Sequence, residues 1–315
     1  MNYYLPIRDL YTREILGAGG NLAAETYVLA GDRLTGRSSV PLNGWKRLAH
    51  NADPEDILHV NSVLAEKLIG KNIFEQPLLD ALIEEEAPAA GQVGFGVSLA
   101  IAYAASEALR LPLFRYLGGL LADTLPLPVM KIASDVLLLP TGDSTIRQKI
   151  KTGTEIFHTL GSLLKEKGLP TYCGPSGEYM PGVCDMEQVL PLVREAIRRA
   201  GYEVGSHVRI LLPEDDLFAV NRKRLEKGIR SRGDEAISIV PEQELTVSRV
   251  ISLARKAQEN GYCVFLSSGS ADTEETAHAD FATAAGARQI RLGSPCRAEN
   301  TTKYNRLMKI EEDLF

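Results

Sequence analysis

The stretch GYCVFLSSGSADTEETAHADFATAAGA, residues 261–287, contains three kinds of segment in a fixed order. An unbroken apolar run comes first, then a loop of small and acidic residues, then a segment with helical spacing. A short apolar run without alternation, closed by turn residues, fits a strand buried on both faces. A small-residue loop between such a strand and a helix is the usual geometry for gripping phosphate. Here Asp272, Glu274 and Glu275 already place negative charge at the helix start, and Ser270 or Thr273 can cap it. The residues alone therefore predict an ordinary capped helix start, with Ser270 left as a candidate ligand contact.

The same unit recurs on either side. Apolar runs VLLLP, HVRILLP, EAISIVP and YCVFLSS each lead into helical spacing, RQIRLGS follows near the end, and PLPVMKI and PTYCG are further strand candidates. Buried strands alternating with helices predict an α/β fold with a parallel sheet, and recurrence without a long break favours a (β/α) barrel over a doubly wound sheet. Residues 126–315 fall short of the about 250 that eight units take, so a shortened TIM-like barrel of about six strands is expected, open or completed by a partner. Upstream, IRDLYTREIL, AAETYVLAG and GRSSVP are separated by glycine-rich turns and read as a three-stranded meander. Helical spacing follows in EDILHVNSVLAEKLIG, EQPLLDALIEEE and the alanine-rich VGFGVSLAIAYAASEAL. Residues 1–125 are thus expected to form a small α+β domain, and 126–315 the barrel.

With 315 residues, 44% hydrophobic and 24% charged, the chain can bury a large core. A net charge of -6 offers no field for nucleic acid or anionic membrane. No apolar run is read as membrane-spanning, and the N-terminus lacks the basic flank of a signal peptide. Four cysteines without CxxC spacing fit a reduced cytoplasmic protein.

The segments REILGAGGN, GVSLAIAYAASEALRLPLFRYLGG, PTGDSTIRQKIKTGTEIFHTLGSLLKEKGLPT, DDLFAVNRKRLEKGI and GSPCRAENTTKYNRLMKIEEDLF run in order along nearly the whole chain. Through them the chain resembles enolase, the lyase that interconverts 2-phosphoglycerate and phosphoenolpyruvate. The resemblance implies a homodimer and a reaction that needs a lysine base, a carboxylic acid and magnesium. Matched to the family's motifs, Val240 stands at the position of the base, and Pro175 and Ser176 replace the acidic pair, with Glu178 two residues on. Asp215 matches one magnesium carboxylate, and Asp135 stands near the place of the first-strand glutamate. In the family an arginine and a serine of the loop matched by residues 267–276 bind the substrate phosphate; here Ser268 and Gly269 replace the histidine and arginine, Ser270 is left, and Arg291 replaces a substrate-contacting lysine.

The sequence therefore predicts an enolase homologue without enolase turnover, retained for binding or assembly. Asp135, Glu178 and Arg291 remain as pocket residues, Ser270 and Arg291 as ligand contacts, and Asp215 and Asp135 as weak magnesium ligands. No cofactor is expected beyond weak magnesium, and the expected partners are a second copy, an authentic enolase or a small acidic ligand. A remodelled enzyme acting on a small carboxylate or phosphorylated acid is one alternative, and a regulatory partner of enolase the other. His158 is expected to be a packed structural residue, and His207 and His278 to be solvated or hydrogen-bonded, since none has metal-ligand spacing.

Overall fold

The computed structural model describes residues 4–42, 54–142, 145–182, 185–212, 218–219, 236–269 and 272–315. The N-terminal meander forms as the spacing predicts. Strands β1 (Ile7–Leu16), β2 (Leu22–Ala30) and β3 (Leu34–Pro41) pair antiparallel in the order β1-β2-β3. Alternation sends Ile7, Leu10, Val28 and Val40 into the core, while Tyr11 and Tyr27 stack on the other face at 5.2 Å. Glu25, only 1% exposed, is held between Arg13 and Arg37 of the flanking strands, with Arg13 Nε donating at 2.8 Å.

Helices cover the inner face of this sheet. Helix α1 (Pro54–His59) leads through a π-helical turn into α2 (Ala65–Leu68), and α3 (Gln76–Glu85), α4 (Ala87–Leu109) and α5 (Leu113–Gly118) follow. The alanines of α4 allow its backbone to lie directly on β3, where a Cβ at Gly36 would fall 1.8 Å from the Ala100 carbonyl oxygen. By length and composition alone, Gly91–Leu109 could cross a membrane, contrary to the sequence reading, but 78% of that window is buried inside the fold. It is a core helix.

Among the described residues the second sheet has seven strands: β4 (Leu127–Ala133), β5 (Val136–Pro140), β6 (Val208–Leu211), β7 (Phe218–Ala219), β8 (Ala236–Ile239), β9 (Cys263–Ser267) and β10 (Gln289–Arg291). Their order is β6-β5-β4-β10-β9-β8-β7. Strands β4, β10, β9, β8 and β7 pair parallel, as the apolar runs predict, but β5 pairs antiparallel with both β4 and β6. The cause is local: β4 and β5 are joined by the two-residue turn Ser134-Asp135, with Ser134 at φ 45, too short for a parallel crossover. PTYCG forms no strand. Cys173 and Ala133 make only isolated bridges to Tyr179. Among the described residues β6 and β7 end the sheet without meeting, so it is open rather than closed.

Helices α6 (Ile146–Glu166), α7 (Met186–Arg199), α8 (Val247–Glu259), α9 (Ala277–Ala284) and α10 (Ala298–Leu314) pack around this sheet. The N-terminal unit bonds to the starts of two of them, beside the α8 cap Thr246, whose Oγ1 accepts from Arg249 N at 3.3 Å. At α8, Asp80 Oδ2 accepts from Ser248 N at 2.9 Å and Ser98 Oγ from Val247 N at 2.9 Å. At α9, Glu275 Oε1 accepts from Thr276 N and Ala277 N, while Tyr103 OH donates to the same oxygen and Ser39 N donates to Oε2. This settles the loop at 267–276: the helix start already holds a carboxylate. The capping residue is Glu275 rather than Thr273, whose hydroxyl lies 2.9 Å from Ser39 Oγ, and Ser270 lies outside the described residues.

Candidate functional site

Parallel register fixes which side chains share the sheet face turned away from the helices. Met130 points at α6, where a Cβ on Gly153 would meet its sulfur, so Val129 and Lys131 face the opposite way. Arg291 pairs in register with Val129 and Ser267, and Ser238 with Phe265, which places Lys131, Arg291, Ser267 and Ser238 on one face at the strands' C-terminal ends. Ser238 and Ser267 hydroxyls are 2.6 Å apart, and the Arg291 guanidinium lies 6.0 Å from the Phe265 ring centre. The C-terminal end is where β/α folds place their chemistry.

Lys131 gathers two of the residues expected from sequence. Its ammonium is 3.2 Å from Asp135 Oδ1 and 3.1 Å from Glu178 Oε1. Asp135 sits in the β4–β5 turn with its side chain 67% exposed, whereas the Glu178 side chain is 4% exposed. The loop GPSGE aims Glu178 inward: Gly177 takes φ 88, Ser176 N donates to Glu178 Oε2 at 2.9 Å, and the carboxylate lies where a Cβ on Gly174 would be. Burial works against charge on Lys131, but the hydrogen bonds and charges of Glu178 and Asp135 outweigh it and hold its pKa above the usual lysine value. Sequence reasoning missed Lys131, although a lone lysine inside the apolar run PLPVMKI was the available signal.

Asp215 lies outside the described residues. A magnesium ion at the mouth would need several hard oxygens, and the ammonium of Lys131 already sits between Asp135 and Glu178. Those two carboxylates therefore do not fit magnesium.

A second polar group lies deeper, against the N-terminal unit. Glu242, Asp272 and His278 come from the turn after β8, the loop after β9 and α9, and one ligand atom from each lies within 4.8 Å of the others. Exposure is 7%, 3% and 2%, and Lys303 of α10 beside them is fully buried. The Lys303 ammonium is 3.0 Å from Asp272 Oδ2 and also donates to the carbonyls of Thr273 and Glu299. Burial pushes the Asp272 carboxyl up. Burial pushes Glu242 the same way, but the charge and hydrogen bond of His278 prevail and lower it. His278, expected to be solvated or hydrogen-bonded, is buried with Nε2 2.5 Å from Glu242 Oε1; its partners are distant in the chain and meet only where β8 and β9 end side by side, which leaves no spacing to read. His158, expected to be packed, is exposed on α6, and His207 accepts a hydrogen bond from Glu203 N.

Fold and site together define an α/β protein with a meander domain in front of an open, barrel-derived sheet. The family model described as enolase, C-terminal TIM barrel domain, matches residues 129–213 and 204–315. The chain belongs to the enolase family. The two matched segments overlap at 204–213, in keeping with the shortened middle of the barrel.

Proposed function

We propose that this enolase-family chain no longer dehydrates 2-phosphoglycerate and that the mouth of its sheet is kept to bind a small carboxylate or phosphorylated acid. The carrying observation is the nature of the groups at the strand ends. A base must spend part of its time unprotonated, and the position of the family's lysine is Val240, which cannot take a proton. The lysine that does face the mouth, Lys131, is held as an ammonium by Glu178 and Asp135. Lys131, Arg291 and the Ser238–Ser267 hydroxyl pair are groups suited to holding an anion.

The domain boundary near residue 125, a cytoplasmic location and assembly as a homodimer or a mixed dimer with an authentic enolase belong to the same reading. A second subunit would cover the edge that β6 leaves among the described residues.

The test is turnover of 2-phosphoglycerate with saturating magnesium, followed by the ultraviolet absorbance of phosphoenolpyruvate, beside calorimetric binding of 2-phosphoglycerate. No turnover is expected, with binding weakened roughly tenfold or more by Arg291→Met, as loss of a charge-assisted contact would give. Turnover that disappears in Asp215→Ala would overturn the proposal, while turnover that persists there would mark a contaminating enolase.

A further inference from the structure

We propose that Glu242, Asp272 and His278 form a binding site for a divalent transition metal, separate from the mouth and built into the seam with the N-terminal unit. The donors come from three different segments, with one ligand atom of each within 4.8 Å of the others, and all three residues are more than nine-tenths buried. A second observation points to a ligand. Among the described residues Glu242 Oε2 and His278 Nδ1, both buried, lack a hydrogen-bond partner. His278 Nε2 lies 2.5 Å from Glu242 Oε1, which leaves Nδ1 and Glu242 Oε2 as the open positions. Buried polar atoms are ordinarily paired, so orphans clustered around one point mark a place where a further group belongs.

Charge is compatible with the same answer. The carboxylates of Glu242 and Asp272 carry two negative charges, and Lys303, satisfied by Asp272 and two backbone carbonyls, returns one positive charge. The remaining negative charge is balanced by a positive charge within reach of Glu242, either a metal ion or a proton on His278. One imidazole and two carboxylates make the mixed nitrogen and oxygen donor set that suits zinc and its first-row neighbours better than magnesium. The ligands lie beneath the seam, so the metal would enter as the chain folds and would tie the ends of β8 and β9 to α9.

The competing state is a proton on His278, which makes the group two buried ion pairs. To distinguish the two, the full chain is unfolded in denaturant with chelator, refolded with or without zinc, desalted and assayed for zinc. The as-purified protein from zinc-supplemented cells is assayed in parallel, so the result does not depend on refolding. About one zinc per chain is expected, with a higher melting temperature for the loaded form. Occupancy should fall at least about tenfold in His278→Gln, which keeps a donor for Glu242, and in Glu242→Gln. Wild-type protein that folds with little zinc, or equal occupancy in wild type and both variants, would overturn the proposal; the second result would place the metal elsewhere, with the thiols of Cys173 and Cys296 as obvious candidates.

Discussion

Replacing Lys131 by methionine is the sharpest probe of the mouth. It removes the ammonium 3.1 Å from Glu178 and keeps most of the side-chain volume. Glu178, with its side chain 4% exposed, would then keep a single donor, the Ser176 N–H. Removing one partner of a fully buried pair costs about 3–5 kcal/mol. Here the Lys131 side chain is 24% exposed, so solvent already screens the pair and the expected loss is about 2–3 kcal/mol at neutral pH. That corresponds to a fall of roughly 4–10 °C in melting temperature for a chain of this size.

The assay is urea unfolding of wild type, Lys131→Met, Glu178→Gln and the double variant. A coupling energy above about 1 kcal/mol is expected, because in the double variant neither charge is left stranded. The deficit of Lys131→Met should also shrink as pH falls and the stranded carboxylate takes a proton. If Lys131→Met costs less than about 0.5 kcal/mol and the cycle closes without coupling, the two groups do not depend on each other and the clamp described here is wrong.

Further outcomes follow from the packing. Arg306→Met should cost about 2–3 kcal/mol in urea unfolding: the Arg306 side chain is 23% exposed, and the buried Asp280, whose two oxygens accept from Arg306 Nε and Nη2 at 2.9 and 2.6 Å, keeps Phe114 N as a donor. Burial raises the pKa of Asp80, so the folded state holds that proton longer than the unfolded chain. Its contribution should therefore fall as pH rises from about 4 through the raised value, and Asp80→Asn should flatten the pH dependence of melting temperature in that window. Gly36→Ala should destabilise by about 3 kcal/mol or more, read as loss of soluble protein, since the added carbon meets the Ala100 carbonyl at 1.8 Å. Glu275→Ala should cost about 1–2 kcal/mol by uncapping α9, measured by thermal melting.

The parts legible in the sequence were those governed by short-range pattern. The meander followed from alternation and glycine turns, and β8, β9 and β10 followed from unbroken apolar runs. The direction of β5 was not legible, because an apolar pentapeptide reads the same in either orientation and only the length of the Ser134-Asp135 turn decides it. Glu178 was found by its place in a motif, but its inward aim depends on loop geometry at Gly174 and Gly177. Lys131 was concealed as one charge within an apolar strand, and Glu242, His278 and Lys303 because three-dimensional neighbours far apart in the chain leave no spacing to read.

The bonds that the N-terminal unit makes to the starts of α8 and α9 bear on cooperativity. Ser39, Asp80, Ser98 and Tyr103 belong to the first unit, yet the groups they bond belong to the second. If the meander unfolds, two helix starts of the sheet domain lose partners at once. If those helices fray, Asp80 loses the amide proton of Ser248, one of the bonds that offset its burial. Under that arrangement a single melting transition for both units is expected in calorimetry. A shortened sheet with open ends can persist as a folded object because its integrity is shared with a neighbour rather than closed upon itself.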